Sequence, residues 1–305
     1  MGIKSSTLIS ILVSLIFVSN SFCGDQAYTK VVRGEFIPFL NTLGMKFVYI
    51  KPGKLLIKNI IVDSEHRETG KIDIYKTIKG FYLQNTEVTV GQWQKFSLSE
   101  FYKNNNISHG CLIRVGRRLD FDSKSNWNYP GYKVDEYFPV TCISWNDANQ
   151  FAKWLSEIEK CSYRLPTAAE WEYACKAVNA ASSANDYTGI STNKNLDLLE
   201  SQAWYNDNSG AHVHLVAQKQ ENYYGLFDMI GNVSEWCEDS FDLYVGTEVE
   251  KLIFSNDLIL NMKIKAVRGC SFDSYKMTCD CSRGFGLRSD NKGYNLGFRL
   301  VKDLQ

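Results

Sequence analysis

The sequence has no excess of charge of either sign, no internal repeat and few histidines. Its 34 basic and 34 acidic side chains balance, so the composition favours neither nucleic acid nor an anionic membrane as a partner. Past the N-terminus, no apolar run is long enough to form a transmembrane helix. Four histidines in 305 residues leave little material for a metal centre built on imidazole. A length of 305 residues suits one large domain or two small ones, and the sequence contains no low-complexity linker.

The sequence does contain enough apolar material for a sizeable core. Hydrophobic residues make up 44% of the chain and aromatic residues 13%, including seven tryptophans. This aromatic content favours a loop-rich fold held together by packed rings. A carbohydrate-binding surface is the less favoured explanation of the same rings.

The N-terminus is typical of a secretion signal. Lys4 provides a short basic region, and residues 8–18 form an apolar stretch that is too short to span a bilayer. Ser19 and Ser21 suit a cleavage site. Cys23 leaves lipid anchoring as an alternative, with retention of the segment as a membrane anchor as a second one.

These features predict three parts of the chain. We expect a signal peptide at 1–21, a leader at 22–43 and a folded domain at 44–303. The protein is then secreted or periplasmic, with no transmembrane helix in its mature form.

The cysteine count agrees with an oxidising compartment. There are nine cysteines, and removal of Cys23 with the signal leaves eight. An even number in a secreted chain predicts disulfides, although the sequence does not determine which cysteines pair.

Three segments carry the signature of a capped helix. In each, a Ser or Thr N-cap is followed three residues later by a side chain that completes a capping box. The cap pairs are Thr89 with Gln92, Ser144 with Asp147, and Thr167 with Glu170. The second helix has an apolar stripe made of Ala148, Phe151, Ala152 and Leu155.

The most informative stretch is Tyr163–Cys175, which reads YRLPTAAEWEYAC. It resembles the RLPTEAEWEYA signature of the sulfatase-modifying-factor family, which includes the formylglycine-generating enzymes. Further motifs that resemble those of the family occur in the family's order: GMKFVYIKPG, FYLQNTEVTVGQW, FPVTCISWNDANQFAKWL, NYYGLFDMIGNVSEW, VRGCSF and NLGFRLV.

The resemblance implies the fold. We expect an α+β domain related to C-type lectins, rich in loops, with short strands and about three capped helices. Short strands are predicted at 46–50, 264–268 and 297–301. Residues 58–79 and 240–260 depart most from the family pattern and are predicted insertions.

The resemblance also bears on the disulfides. One family disulfide joins the positions that are Ala152 and Leu300 here, so both of its cysteines are absent. A second family disulfide starts at the position of Cys175. Its partner in this chain is expected to be Cys279 or Cys281.

The family's enzymes bind copper(I) through a cysteine pair that follows a GGS turn and use oxygen to convert a substrate cysteine to formylglycine. By resemblance, the catalytic positions here are Ser271, Ser274 and Cys279, but Ser274 stands where the first active cysteine is expected. A hydroxyl is a poor ligand for copper(I). A shifted copper pair made by Cys279 and Cys281, or by Cys270 and Cys279, is one alternative. The favoured alternative is that these cysteines form structural disulfides with each other, with Cys175 or with Cys237.

A second metal site is implied by the segment IGNVSE. It matches the family's calcium loop, so Asn232, Val233 and Glu235 are the expected ligands of calcium, which prefers oxygen. The alternative is a turn in which Glu235 bonds to main-chain amides.

Other polar residues in the motifs have two possible roles. Arg164, Arg268, Arg288 and Arg299 could bind a substrate anion, but buried pairing with Glu170, Glu172, Glu235 or Asp228 is favoured. His212 and His214 have a spacing that can bind zinc or iron, which is the less favoured interpretation of the pair.

Three functions remain open. The first is a formylglycine-generating oxidase acting on a sulfatase polypeptide. The second, which we favour, is a binding module for a protein or carbohydrate ligand, with residues 273–296 as its surface and Tyr275, Phe285 and Tyr294 as its anchors. The third is a different oxidative enzyme or an accessory protein on the same scaffold.

Overall fold

The computed structural model describes residues 31–32, 35–62, 68–105, 109–177, 196–241 and 263–304. The predicted signal peptide lies outside these residues, and so does the predicted insertion beyond residue 241. Within these residues, no helix combines the length and apolar character needed to pass through a bilayer.

The described residues contain five α-helices and a short 3-10 helix at Lys276–Thr278, and the three predicted capping boxes are confirmed. The helices are α1 Val90–Ser97, α2 Glu100–Asn104, α3 Trp145–Glu159, α4 Ala168–Lys176 and α5 Leu196–Gln202. The side chains of Thr89, Ser144 and Thr167 each accept a hydrogen bond from the backbone N–H of the third helical residue. The side chain of that third residue in turn accepts a hydrogen bond from the backbone N–H of the N-cap. The two helices that sequence reasoning missed, α2 and α5, are short, and α2 has a Ser99 cap without a capping box.

A five-stranded antiparallel sheet brings the two ends of the domain together. Its strands are β3 Phe39–Leu40, β4 Lys46–Ile50, β7 Phe81–Gln84, β10 Tyr163–Arg164 and β15 Val301–Lys302, in the order β10-β15-β7-β4-β3. The strand predicted at 46–50 is confirmed as β4.

A four-stranded sheet lies at the centre of the C-terminal half. Its strands are β11 Ser234–Ser240, β12 Ile264–Arg268, β13 Gly284–Arg288 and β14 Leu296–Gly297, in the order β13-β12-β11-β14. Residues Glu235 and Arg268 are direct partners across β11 and β12. The strand predicted at 264–268 is confirmed as β12.

The strand predicted at 297–301 is wrong in its extent. Gly297 belongs to β14 in the four-stranded sheet, whereas Val301 begins β15 in the five-stranded sheet. Residues 298–300 lie between the two sheets with side chains that are 0% exposed. This segment crosses the core, so its backbone cannot continue one ladder.

Three two-stranded ribbons complete the described structure. They are β1 Val31–Val32 with β2 Glu35–Phe36, β5 Gly53–Val62 with β6 Glu68–Ile78, and β8 Cys111–Val115 with β9 Arg118–Asp122. The β5–β6 ribbon contains most of the stretch predicted as an insertion at 58–79.

The core is built largely from rings packed on α1 and α3. Trp93 stacks on Phe151 with their centroids 5.5 Å apart, and both contact Phe298 edge-on. Ala152 and Leu300, at the positions of the absent family disulfide, are both buried in this cluster. Apolar packing therefore holds the region where relatives with the bridge have a covalent link.

We expect the buried stripe of α3 to contribute strongly to stability. Leu155 is 0% exposed, whereas Ile158 on the same helix is 50% exposed. Leu155→Ala should lower the free energy of unfolding by about 2–5 kcal/mol, because it removes buried surface and leaves a cavity. Ile158→Ala should change it by less than about 0.5 kcal/mol. Urea unfolding of both variants tests this, and equal effects would contradict the packing described here.

Candidate functional site

The turn after β12 holds the residues of the predicted catalytic position. Gly269 has a φ of +72°, and a Cβ there would lie 3.2 Å from a ring carbon of Trp171. Both the conformation and the limited space favour glycine at this position. The chain then turns so that Ser271 N donates to Ser274 Oγ at 3.0 Å and the two hydroxyl oxygens lie 3.0 Å apart. Ser271 and Ser274 are thus brought together, and each hydroxyl is engaged with the other.

The cysteines near this turn are joined in disulfides. Cys270 bonds to Cys279, and Cys175 bonds to Cys281. The expected partnership of Cys175 with Cys279 or Cys281 is therefore resolved in favour of Cys281. All four residues are buried, with exposures between 3% and 5%.

The remaining described cysteines are also assigned. Cys111 bonds to Cys142, and Cys161 is in a disulfide as well. Cys237 is a buried free thiol, and burial raises its pKa well above the usual value. A thiol in this state is a weak nucleophile and a weak metal ligand.

The side chains at the family's copper position do not fit copper(I). That ion prefers thiolates, whereas the turn presents the hydroxyl of Ser274 and the disulfide sulfur of Cys279. The two alternative copper pairs do not provide free thiolates either. Cys270 and Cys279 are bonded to each other, and Cys281 is bonded to Cys175.

In the segment that resembles a calcium loop, the oxygen atoms expected to bind calcium accept hydrogen bonds from other protein groups. Both carboxylate oxygens of Glu235 accept from Arg299, and Oε2 also accepts from Trp171 Nε1 at 2.8 Å. Asn232 Oδ1 accepts from the backbone N–H of His214, and the Asn232 carbonyl accepts from the N–H of Phe272. Val233 is buried in an apolar cluster. This arrangement does not fit calcium, because the cationic Arg299 occupies the carboxylate that the ion would need.

Two further carboxylic acids lie beside this ion pair. Glu87 and Asp228 are 0% and 2% exposed, and each interacts electrostatically with Glu235 and Arg299. Asp228 Oδ2 accepts from Ala217 N at 2.7 Å, and Glu87 Oε1 accepts from Asn232 Nδ2 at 3.2 Å. Burial is the main cause that raises the pKa of Glu87 well above its usual range and that of Asp228 to about 6. One arginine cannot neutralise three buried carboxylates, so Glu87 and Asp228 keep their protons to a higher pH than the same acids do in water.

Three of the four motif arginines have the predicted structural pairing. Arg164 binds Glu170 at 2.7 Å, Arg268 binds Glu172 at 3.0 Å, and Arg299 binds Glu235 at 2.7 Å. Arg288 differs, because it pairs with Asp290 in an exposed position.

The histidines at 212 and 214 have separate surroundings. The ring of His214 stacks on Trp204 with centroids 3.7 Å apart, and its Nε2 lies 2.9 Å from the carbonyl oxygen of Ser209. His212 lines a cavity instead. In the described part of the chain, no group of three or more His, Cys, Asp or Glu has the arrangement of a metal site.

A cavity of about 590 Å³ opens next to the Ser271–Ser274 turn. Its wall is formed by segments that are distant in sequence, and includes Arg114, Tyr132, Lys133, His212, Phe272 and Asp273. Tyr294 is also in the wall and is only 4% exposed. The other two predicted anchors are not in the wall: Tyr275 and Phe285 are 71% and 42% exposed at the surface.

Asp273 is the centre of the polar contacts in this cavity. Its carboxylate accepts from Ser271 Oγ at 2.6 Å and Asn295 Nδ2 at 3.0 Å, and also from the hydroxyl of Tyr294. Arg114 Nη2 lies 3.2 Å from it. Burial raises the pKa of Tyr294, so its hydroxyl stays protonated and can donate.

Sequence reasoning missed the cavity residues Arg114, Tyr132 and Lys133. They lie outside the family motifs, and no spacing signal marks them. The disulfide Cys111–Cys142 and the hydrogen bonds that Leu112 makes with the backbone of Lys292 and Tyr294 bring the β8–β9 ribbon to the site. These contacts join residues far apart in the chain, so local patterns could not reveal them.

Comparison with known proteins agrees with this architecture. Residues 37–304 match the family described as the sulfatase-modifying factor enzyme 1-like domain. The serine/threonine-protein kinase Pkn1 of Chlamydia trachomatis is 27% identical over 270 residues, which cover 84% of this chain and 40% of the kinase. The formylglycine-generating enzyme of Mus musculus is 23% identical over 278 residues, covering 79% of this chain and 71% of that enzyme.

Two other similarities are relevant. The inactive C-alpha-formylglycine-generating enzyme 2 of Bos taurus is 30% identical over 186 residues, which cover 56% of this chain and 53% of that protein. The structure of PvdO from Pseudomonas aeruginosa has a TM-score of 0.61 at 17% identity, covering 88% of this chain and 98% of PvdO. At this identity the likeness to PvdO shows the fold, and the predicted α+β fold class is thereby confirmed.

The buried acids make a prediction about pH. Because the pKa values of Glu87 and Asp228 are raised, the folded state holds protons that the unfolded chain releases. Their contribution to stability is complete below the unfolded pKa values of about 4 and is lost as pH rises through the folded values. Each proton contributes a slope of at most about 1.4 kcal/mol per pH unit.

We expect Glu87→Gln to reduce this slope, because it replaces a proton-binding group with a neutral amide of similar shape. Urea unfolding at several pH values between 4 and 8 measures it. Glu136→Gln, at an exposed position, is the control and should keep the wild-type slope. An unchanged slope in Glu87→Gln would show that Glu87 does not hold an extra proton in the folded state.

Proposed function

Because this chain belongs to the sulfatase-modifying factor enzyme 1-like domain family, we propose that it is a secreted, non-catalytic binding or accessory member of that family. One observation carries the proposal. At the turn where the family's enzymes have a copper-binding cysteine pair, this chain has Ser274 and a disulfide between Cys279 and Cys270.

The disulfide prevents copper(I) binding by thiolates at this turn but leaves the turn itself in place. A copper(I) oxidase needs two thiolates that can reach one ion. Here one position lacks sulfur, and the sulfur at the other is covalently joined to a cysteine that replaces the second glycine of the GGS turn. The turn itself persists through Gly269 and the bonds between Ser271 and Ser274.

One of the relatives supports a non-catalytic role within the family. A bovine protein that bears the name of an inactive formylglycine-generating enzyme is among them, together with a mouse protein that bears the name of the active one. A sulfatase polypeptide is therefore one candidate partner. A protein or carbohydrate ligand of another kind is the other.

Secretion is supported by two features. The N-terminal residues are typical of a signal peptide, and the described residues contain three fully assigned disulfides. Disulfides of this number are typical of proteins from oxidising compartments.

We expect the unreduced protein to bind no copper(I). Cys270→Gly together with Ser274→Cys should introduce binding of one copper(I), because the double change restores the family's glycine and leaves thiols at positions 274 and 279. Metal content after equilibration with a competing copper(I) chelator measures this, and a thiol-reactive dye counts the thiols protected by the ion.

The control is Cys270→Gly with Cys279→Ser, which removes the same disulfide without building a pair. Loss of this bond should lower stability in both variants by a similar amount, about 2–3 kcal/mol. If the unreduced wild-type protein shows two reactive thiols that one copper(I) protects, the alternative function, a formylglycine-generating oxidase, replaces the binding module.

A further inference from the structure

We propose that the cavity beside the Ser271–Ser274 turn binds a small organic anion that carries a planar apolar ring. The inference rests on the proposed function, since it assigns a ligand class to the binding module. The charges, the free donors and the ring surfaces of the cavity each support it.

The one acid in the described lining of the cavity is already neutralised. Asp273 accepts hydrogen bonds from Ser271, Asn295 and Tyr294 and pairs with Arg114. Its side chain is 7% exposed. It is therefore not available as a counter-ion for a cationic ligand, and it does not repel an anion as a bare carboxylate would.

The cations of the cavity retain free donors. Lys133 is exposed and, within the described residues, has no hydrogen-bond or ion-pair partner. Arg114 uses Nε on the Tyr294 hydroxyl and Nη2 on Asp273, which leaves Nη1 without a partner among the described residues. Its side chain is 44% exposed. A guanidinium that is already oriented by two contacts binds an anion with little further loss of entropy.

The remaining wall offers ring surfaces. Phe272 packs edge-on against Tyr132 and Tyr294, with centroids 6.3 and 5.7 Å apart, and Phe138 also lines the cavity. Phe272 and Tyr294 are 2% and 4% exposed, so they are held rigidly, and the partly buried rings of Tyr132 and Phe138 supply the surface that a ligand can reach. The volume of about 590 Å³ is that of a site for one small organic molecule.

A cationic ligand is disfavoured by the same geometry. It would lie beside Lys133, and the described lining has no carboxylate left to offset the charge of this lysine, because Asp273 is paired with Arg114. The anionic group of the ligand is expected near Lys133 and the free Nη1 of Arg114, with its ring against Phe138 and Tyr132.

Three probes that share one ring test the charge preference directly. Indole-3-acetate, indole-3-acetamide and tryptamine differ in carrying a negative, no and a positive charge. We expect the full-length protein to bind the acetate roughly tenfold more tightly than the acetamide, and to show no saturable binding of tryptamine. Calorimetric titration at constant ionic strength measures the three affinities.

Lys133→Gln should weaken the binding of indole-3-acetate by roughly tenfold and leave the affinity for indole-3-acetamide unchanged, because the substitution removes only the charge. Lys153→Gln, at an exposed position on α3, is the matched control and should leave all three affinities unchanged. The anion assignment fails if the acetate does not bind, if tryptamine binds as well as the acetate, or if Lys133→Gln has no selective effect.

Failure of this inference and failure of the proposed function are separate results. Copper(I) binding by the unreduced wild-type protein would contradict the proposed binding function, whatever affinities the three probes show. Absence of copper(I) binding with no preference for the acetate would leave the module and reject only the anionic ligand.

Discussion

The buried ion pair between Arg299 and Glu235 connects the two main sheets. Arg299 lies in the segment between β14 and β15, and Glu235 is on β11. The guanidinium also donates to the carbonyl oxygens of Gln84 and Phe227, and the carboxylate accepts from Trp171 on α4. Both side chains are at most 1% exposed. Removing one partner would leave the other charged and buried, at a cost of about 3–5 kcal/mol. The same pairing occupies the carboxylate that a calcium ion would need.

The position of the Ser271–Ser274 turn follows from the packing around this pair. Arg268 on β12 is the direct neighbour of Glu235 and binds Glu172 on α4, so the turn leaves the sheet at a fixed place. The disulfide Cys270–Cys279 then closes the turn region on itself, and the disulfide Cys175–Cys281 joins it to α4. A scaffold that positions reactive thiols in an enzyme can therefore persist when those thiols are replaced or bonded. The family fold and the family chemistry are separable for this reason.

The proposed binding function depends on the cavity beside the turn. Its wall combines the β8–β9 ribbon, a loop before α3, the loop that contains His212 and the C-terminal loops. The ribbon is held in place by the disulfide Cys111–Cys142 and by backbone bonds of Leu112. Loops on a rigid frame can change their side chains without loss of the core, so ligand preference can differ widely between relatives.

The sequence by itself determined part of the local structure and the family. The three capping boxes, the stripe of α3 and the strands at 46–50 and 264–268 follow from short-range patterns, and the ordered motifs identified the domain. It also indicated the missing first cysteine at Ser274. Only the tertiary structure decided that Cys175 bonds to Cys281, that Arg299 occupies Glu235 and that residues 298–300 cross between sheets. It alone assembled Arg114, Lys133 and Asp273 around one cavity. These features depend on contacts between residues far apart in the chain, which local propensity and spacing do not encode.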